Sequence, residues 1–378
     1  MPWPFLRRWG VLPLVLIIAG LGYWALHSHS PKLLMTAYVG DRTVTLWSTL
    51  AQVRQPIIDL HYGDRVEVIA QEGAAAQVRT AANTIGWLLD SRQLIDSILW
   101  QRSTELSTHA GTLPIQAHGH TKALSNVRIE PGRTAARIYQ FSRGTPVVVL
   151  ERAVRDAAPT AEENSTEDKD AGAETQKPKQ EDWLLVMRAD TTLPVPGISE
   201  SNTHSPATVN LASGDPVSGG PRASQPTFSA TDSSAPGIAG WVLSRFIEPD
   251  LPGPVRDYAS SANQHVVASF ELNRVPDGSG GEAPQYLAAV SRGSEDGSCD
   301  FTMLRVYTWG AARKRYETAY VESNLCGNLP IRVSHSSKGP EFRFPVAGES
   351  TAERIYVMQQ TSVRRVKNDT LRPPSHKK

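Results

Sequence analysis

The sequence predicts a mainly β protein with an N-terminal transmembrane helix, two small antiparallel barrels and a C-terminal all-β domain. Three observations predict this fold class: an apolar run near the N-terminus, a phrase that occurs twice, and many short segments rich in aromatic and β-branched residues. The 28 glycines and 27 prolines supply the turns that such strands need. The formal net charge of +1 gives no reason to expect a nucleic-acid partner.

Residues 1–30 have the pattern of an uncleaved signal anchor. Arg7 and Arg8 precede an apolar run at residues 9–26, which as a helix would be about 27 Å long, close to the thickness of a bilayer's hydrocarbon core. Arginines before the run favour a cytoplasmic N-terminus, so we expect the rest of the chain on the periplasmic or extracellular side of the inner membrane. The alternative is a cleaved signal peptide and a secreted protein, although residues 25–30 fit a cleavage site poorly.

The repeated phrase is IGWLLDSRQLID at residues 85–96 and IAGWVLSRFIEP at residues 238–249. Each copy has a Gly-Trp pair, two apolar residues, a Ser-Arg pair and a further apolar pair, and the second copy is one residue shorter between its leucine and its serine. A glycine at a turn precedes an alternating apolar strand upstream of each copy. We therefore expect two copies of a module of about five short strands, each closed by this phrase. The repeated positions are Gly63, Gly86 and Trp87 in the first copy and Gly144, Gly240 and Trp241 in the second.

The second copy resembles a bacterial SH3-type domain. The resemblance rests on the segments 126–151, 182–188 and 237–247, which run NVRIEPGRTAARIYQFSRGTPVVVLE, DWLLVMR and GIAGWVLSRFI. They follow that family's order: an Asn-Val-Arg opening, a Pro-Gly loop, a glycine-led strand, a tryptophan-led strand and a closing Gly-Trp-Val. The positions that match are Asn126, Val127, Arg128, Pro131, Gly132, Gly144, Trp183, Gly240 and Trp241.

The first copy resembles the same family more weakly. Leu46 and Trp47 replace the Val-Arg pair of the opening, and Ala75 replaces Trp183. The resemblance implies two SH3-like barrels, at residues 33–96 and 113–250, joined by a connector at 97–112.

Two segments interrupt the second copy, at about residues 157–180 and 193–236. The first is acidic and lacks aromatic and branched aliphatic residues, and the second is dense in Ser, Pro, Gly, Ala and Thr. Neither has enough apolar surface to offset the entropy of ordering the chain, so we expect flexible insertions at hairpin tips. They are either spacers or segments that tether a partner.

Residues 255–366 predict a separate all-β domain, followed by a disordered tail at 367–378. Cys299 and Cys326 flank a long hairpin in this domain, and in an oxidising compartment such a pair is expected to form a structural disulfide. The alternative is a catalytic thiol. The order Ser298-Cys299-Asp300 departs from the motif of the cysteine peptidases that often accompany bacterial SH3-type domains, in which the cysteine follows an aspartate and precedes Ser-Gly.

Few other residues suggest chemistry, and we expect no metal site and no cofactor. His118 and His120 resemble a pair of metal ligands, but no third ligand is near in the sequence, which favours an exposed linker. The basic run 313–315 is typical of a solvated turn, with contact to an anionic polymer as the alternative. No sequence motif of a phosphate-binding loop, a serine hydrolase or a zinc peptidase is present.

The N-terminal apolar run and the lack of a catalytic motif lead us to expect a membrane-anchored binding protein without enzymatic activity. The resemblance implies a cell-wall peptide or glycan as its ligand. In an SH3-like fold the ligand lies in a groove of surface aromatics and loops, and the candidates are Tyr139, Phe141, Trp183 and Trp241. For each tryptophan, packing in the barrel is the alternative role. Two other functions stay open: a scaffold that holds another envelope protein, and an enzyme with its site in the C-terminal domain.

Overall fold

The computed structural model of the protein describes residues 33–157, 180–189, 237–260, 264–291, 298–348 and 353–366. The expected signal anchor, the tail and nearly all of both insertions lie outside the described residues. Within the described ranges, no helix is both long enough and apolar enough to cross a membrane. The described residues form four antiparallel sheets and two α-helices, so the mainly β fold class is confirmed.

The first sheet has seven strands in the order β3-β2-β6-β5-β4-β1-β7. Its strands are β1 (Met35–Val39), β2 (Thr43–Trp47), β3 (Pro56–His61), β4 (Arg65–Glu72), β5 (Ala75–Thr80), β6 (Ile85–Leu88) and β7 (Leu94–Asp96). We call this unit module 1.

The second sheet repeats that order strand for strand, as β10-β9-β13-β12-β11-β8-β14. Its strands are β8 (Ala117–Thr121), β9 (Ser125–Arg128), β10 (Arg137–Phe141), β11 (Pro146–Asp156), β12 (Gln180–Arg188), β13 (Ala239–Leu243) and β14 (Ile247–Pro249). We call this unit module 2.

The register of the strands places the repeated Gly-Trp pairs at equivalent positions. Gly86 lies opposite Val78 in module 1, and Gly240 lies opposite Val186 in module 2. A Cβ atom added at Gly86 would come within 2.5 Å of Leu46, and one added at Gly240 would come within 2.5 Å of Val127. Only glycine therefore lets the closing strand approach its neighbour, which is a physical reason for the repeated phrase.

The predicted connector at 97–112 is an α-helix, α1 (Ser97–Ala110). Asp96 caps it, because its Oδ1 accepts a 2.8 Å hydrogen bond from the backbone N–H of Leu99. Trp100 stacks on Tyr38 of module 1 with ring centroids 4.8 Å apart, whereas Leu106 packs against the core of module 2. The helix thus fills the space between the modules. Ser103 and Ser107 take buried positions on the face that carries Leu106. The apolar stripe is therefore interrupted, which is why the sequence pattern alone predicts only a connector.

The C-terminal domain contains two four-stranded sheets that share one apolar core. Its strands are β15 (His265–Pro276), β16 (Glu282–Ser291), β17 (Phe301–Gly310), β18 (Arg315–Gly327), β19 (Arg332–Ser336), β20 (Gly339–Phe344), β21 (Arg354–Gln359) and β22 (Ser362–Val366). A short helix precedes the first strand, so the domain is not all β as expected: Val255 and Ala259 of α2 (Gly253–Ala259) pack on the face of the first sheet away from that core.

Module 2 and the C-terminal domain are joined by buried polar contacts. Gln116 is fully buried, and its side-chain Oε1 accepts a hydrogen bond of 2.8 Å from the backbone N–H of Ile331. Its backbone carbonyl accepts another of 2.8 Å from the N–H of Ser269. Buried polar groups are stable only when they are hydrogen-bonded, so these contacts fix how the two units pack.

Candidate functional site in module 2

Two of the four aromatic residues predicted to bind a ligand lie inside module 2. Tyr139 is 3% exposed and Phe141 is 1% exposed, and their ring centroids are 5.5 Å apart in the core. The ring of Tyr62 from module 1 meets Tyr139 edge-on at 4.9 Å. Their burial contradicts the expected position at the surface, because module 1 and α1 cover this side of module 2.

The two predicted tryptophans lie on the other face of the sheet. Trp183 is paired with Leu243, and Trp241 with Leu185; since side chains alternate along a strand, all four project to the face away from the core. Trp241 is half-buried and packs with Leu185 and α1, which is the packing role considered for it. Trp183 borders an open cavity, but the residue is only 1% exposed, so its burial also contradicts the expected position at the surface.

This cavity has a volume of about 210 Å³ and is lined by three arginines: Arg128, Arg133 and Arg245. Asn126 and Trp183 complete its polar lining. Apolar side chains form the rest of the wall, namely Leu124, Leu243 and Phe246. We call this site the arginine groove.

Two of the three arginines carry a charge that no carboxylate balances within the described part of the chain. Arg133 is neutralised, because its Nε donates to both carboxylate oxygens of Glu181, at 2.8 and 3.0 Å. Arg128 donates only to the backbone carbonyl of Ala135. Arg245 is exposed and stacks over the ring of Phe246 at 5.1 Å. The groove therefore presents two guanidinium groups that are available to an anion.

Burial and neighbouring positive charge act together on Arg128. Burial is the larger cause that lowers the pKa of its guanidinium, and the positive charges of Arg137 and Arg133 lower it further. Each cause disfavours the charged form. An anion in the groove would relieve this unfavourable environment, so the site has an electrostatic preference for negative charge.

Trp183 borders the groove, but its indole N–H is not accessible from it. The residue is 1% exposed. Its Nε1 is buried and has no hydrogen-bond acceptor among the described residues. A buried donor without a partner costs about 1–3 kcal/mol, so this group lowers the stability of the module and is not a contact for a ligand.

In module 1, the arginine equivalent to Arg245 is paired with a carboxylate, and one extra residue supplies that carboxylate. Gln93 and Phe246 are equivalent, since each carbonyl accepts a hydrogen bond from the N–H of the residue that directly follows the first strand of its module, Gly40 and Lys122 respectively. Their predecessors Arg92 and Arg245 are therefore equivalent too.

Arg92 is held by Asp90, the residue by which the first phrase is longer. Its Nε and Nη2 each donate a 2.9 Å hydrogen bond to that carboxylate, one to each oxygen. These hydrogen bonds are the main reason why the pKa of Asp90 is lowered. Module 2 has no residue at this position, so Arg245 lacks the equivalent partner.

Two further substitutions separate the modules. Trp47 of module 1 takes the place of Arg128, since both residues pair with the tryptophan of the Gly-Trp phrase. The guanidinium of Arg54 stacks over the Trp47 ring at 4.9 Å. Ala75 takes the place of Trp183, three residues before the valine that faces the phrase glycine. The cationic groove is thus a property of module 2 and not of the shared strand order. Its arginines belong to the matched and repeated segments, but their lack of partners is visible only in three dimensions.

The remaining predicted residues have structural surroundings. Cys299 and Cys326 form the expected disulfide, so in this oxidised form the Cys299 sulfur is not a thiolate nucleophile. His120 makes a 2.8 Å contact from Nδ1 to the carboxylate of Asp250, and His118 is exposed. Within the described ranges, no cluster of three or more metal-ligating side chains occurs. Gly63 and Gly144 both adopt positive φ, 89° and 78°, in equivalent turns.

Neither the protein-family models nor the curated proteins include a match to this chain.

Proposed function

We propose that the protein is a non-enzymatic binding protein of the bacterial cell envelope, held at the inner membrane by residues 9–26. Its modules then lie on the periplasmic or extracellular side and bind a cell-wall peptide or glycan. The observation that carries this proposal is the arginine groove of module 2, which combines unpaired cationic donors with an aromatic wall and is open to solvent. Wall peptides carry carboxylates, which are suitable partners for such donors.

Both modules are, in this proposal, SH3-like barrels. The sequence resemblance supports it, and so does the identical strand order of the two sheets. The fourth strand of each module has a bulge at the equivalent place, after Val68 in β4 and after Val149 in β11. Bulges increase the local bend and twist of a strand, as the closure of a small barrel requires.

Co-sedimentation with isolated peptidoglycan sacculi tests the proposal. The full-length chain in a mild detergent is expected to pellet with sacculi in a saturable manner, and to do so at moderate salt. Replacing both arginines that have no carboxylate partner among the described residues, Arg128→Gln with Arg245→Gln, is expected to abolish pelleting. Arg92→Gln in module 1 is the matched control and should pellet normally. A folded protein that does not pellet would overturn the proposal.

Exposed apolar side chains on module 1 favour a scaffold as the second candidate. Val53 is 90% exposed, and Ile57, Ile58 and Ile85 are each more than two-fifths exposed. Ile57 and Ile58 belong to β3, which lies at the edge of its sheet. An edge strand with exposed apolar side chains is a typical site of contact with another chain. Recovery of one crosslinked envelope protein, lost on Ile57→Ser and Ile58→Ser, without any affinity for sacculi, would support the scaffold instead.

A further inference from the structure

We propose that the arginine groove recognises the free carboxylate at the end of a peptide whose last residue has a small apolar side chain, and that module 1 does not. This inference rests on the proposed function and names the chemical group that module 2 binds.

Module 1 contains an internal example of the proposed contact. There the Asp90 carboxylate accepts two hydrogen bonds of 2.9 Å from the guanidinium of Arg92. Arg245 occupies the equivalent place in module 2 and has no carboxylate partner within the described ranges. A planar guanidinium binds a carboxylate through two parallel hydrogen bonds. The ligand carboxylate would therefore take the place that Asp90 takes in module 1.

The lining of the groove selects a carboxylate with an apolar neighbour. Arg128 and Arg245 offer donors that have no carboxylate acceptor among the described residues, whereas Leu124, Leu243 and Phe246 offer only apolar surface. A charged side chain on the ligand would lose its hydration against that surface without a partner. The cavity, at about 210 Å³, has room for a residue of modest size. These features together fit the C-terminal residue of a peptide that ends in an amino acid such as alanine.

The charge of Arg133 does not add to the site. Glu181 already accepts two hydrogen bonds from it, so the net free charge of the groove is that of Arg128 and Arg245. Of these two, Arg128 already donates to the backbone carbonyl of Ala135, so Arg245 has the larger free donor capacity among the described residues. The specificity therefore depends mainly on Arg245, which is exposed at the groove opening.

Calorimetric titration of the full-length chain in detergent tests the inference with two matched probes. N-acetyl-alanylalanine with a free carboxylate is expected to bind, and its C-terminal amide is expected to bind at least about tenfold more weakly, as the loss of a charged hydrogen-bonded pair predicts. Arg245→Gln should weaken binding of the acid by a similar factor. Arg92→Gln should leave it unchanged.

A second variant recreates the module 1 arrangement. An aspartate inserted between Leu243 and Ser244 would give module 2 the phrase length of module 1 and an internal partner for Arg245. Loss of acid binding with unchanged thermal unfolding would support the inference. If this insertion does not fold, Arg245→Gln still decides the question.

Two results would overturn the inference, and the sacculus assay separates it from the proposed function. Equal binding of acid and amide, or displacement of the acid by inorganic phosphate at the same concentration, shows that no carboxylate is selected. If sacculi still pellet in that case, the proposed function stands and only the carboxylate inference fails. If the acid binds selectively but sacculi do not pellet, the carboxylate site stands and the proposed wall-binding function fails.

Discussion

The guanidinium of Arg152 donates a 2.8 Å hydrogen bond from Nη1 to the backbone carbonyl of Cys299. The arginine belongs to β11 of module 2, and the cysteine is half of the disulfide in the C-terminal domain. The side chain of Arg152 is completely buried and forms an ion pair with Asp182. One arginine thus connects the ion pair of one unit to the disulfide-bearing turn of the next.

Replacement of Arg152 is expected to weaken the packing of module 2 against the C-terminal domain. Arg152→Met leaves the carboxylate of Asp182 partly buried without its partner, and loss of one member of a buried pair costs about 3 kcal/mol or more. Thermal unfolding monitored by near-ultraviolet circular dichroism measures the loss. Arg155→Met, at an exposed arginine on the same strand, is the control and should unfold as the wild type does.

Acidification is expected to destabilise the same interface through His265. Its Nε2 lies 3.3 Å from the carboxylate of Asp182; burial lowers its pKa, with Arg152 adding to the shift and Asp182 opposing it. The folded state then binds a proton less readily than the unfolded state, whose His pKa is about 6.5. Stability is therefore fully present above about pH 6.5 and decreases as the pH falls towards the lower pKa of the folded protein.

The comparison of wild type with His265→Gln isolates this effect. The thermal midpoint of the wild type should fall between about pH 7.5 and about pH 5.5, and that of the variant should fall less. Burial raises the pKa of Asp300 in the same region, which opposes the decrease at the acidic end in both proteins. Identical pH profiles for the two proteins would show that His265 does not contribute.

Reduction of the disulfide is expected to destabilise the C-terminal domain. Cys299 and Cys326 are separated by 27 positions, and opening a loop of that size costs about 3–4 kcal/mol in the chain-entropy description. Denaturant unfolding with and without a dithiol reductant measures the difference. The double variant Cys299→Ser with Cys326→Ser should have the stability of the reduced protein and show no response to the reductant.

Substitution of the glycine in the repeated phrase is expected to destabilise the protein in either module. Gly240→Ala would place a Cβ 2.5 Å from Val127 and 2.8 Å from the backbone oxygen of Arg128, and overpacking of this kind costs about 1–3 kcal/mol. Gly86→Ala meets Leu46 at 2.5 Å and should also destabilise. Gly253→Ala meets no atom within 4 Å and should change the free energy of unfolding by less than about 0.5 kcal/mol.

The sequence predicts features that depend on local pattern or on spacing. The mainly β class follows from strand-like segments with turn residues, and the disulfide follows from a cysteine pair that flanks one long hairpin, on the expectation of an oxidising compartment. The equivalence of Gly86 and Gly240 is visible in a phrase because a Cβ atom at either position would collide with the neighbouring strand. These predictions need no knowledge of which surfaces meet.

Contacts between units could not be predicted in this way. Tyr139 is buried by Tyr62 from the other module, and no local pattern in either segment indicates that contact. The arginine groove is equally hidden, since the sequence does not show that Glu181 pairs with Arg133 while Arg245 remains unpaired. The sequence does not predict helix α1 for a different reason. The helix packs on two modules, so its apolar side chains do not form the single stripe of an ordinary surface helix.

The extra Asp90 in module 1 has a consequence for how the two modules diverged. At this point the phrases differ by a single residue, and that residue decides whether the following arginine is bound internally. One codon gained or lost at this point therefore suffices to switch the arginine between internal pairing and availability to a ligand, with no change in strand order. A duplicated module of this kind can in this way gain a binding site in one copy while the other copy keeps its arginine paired.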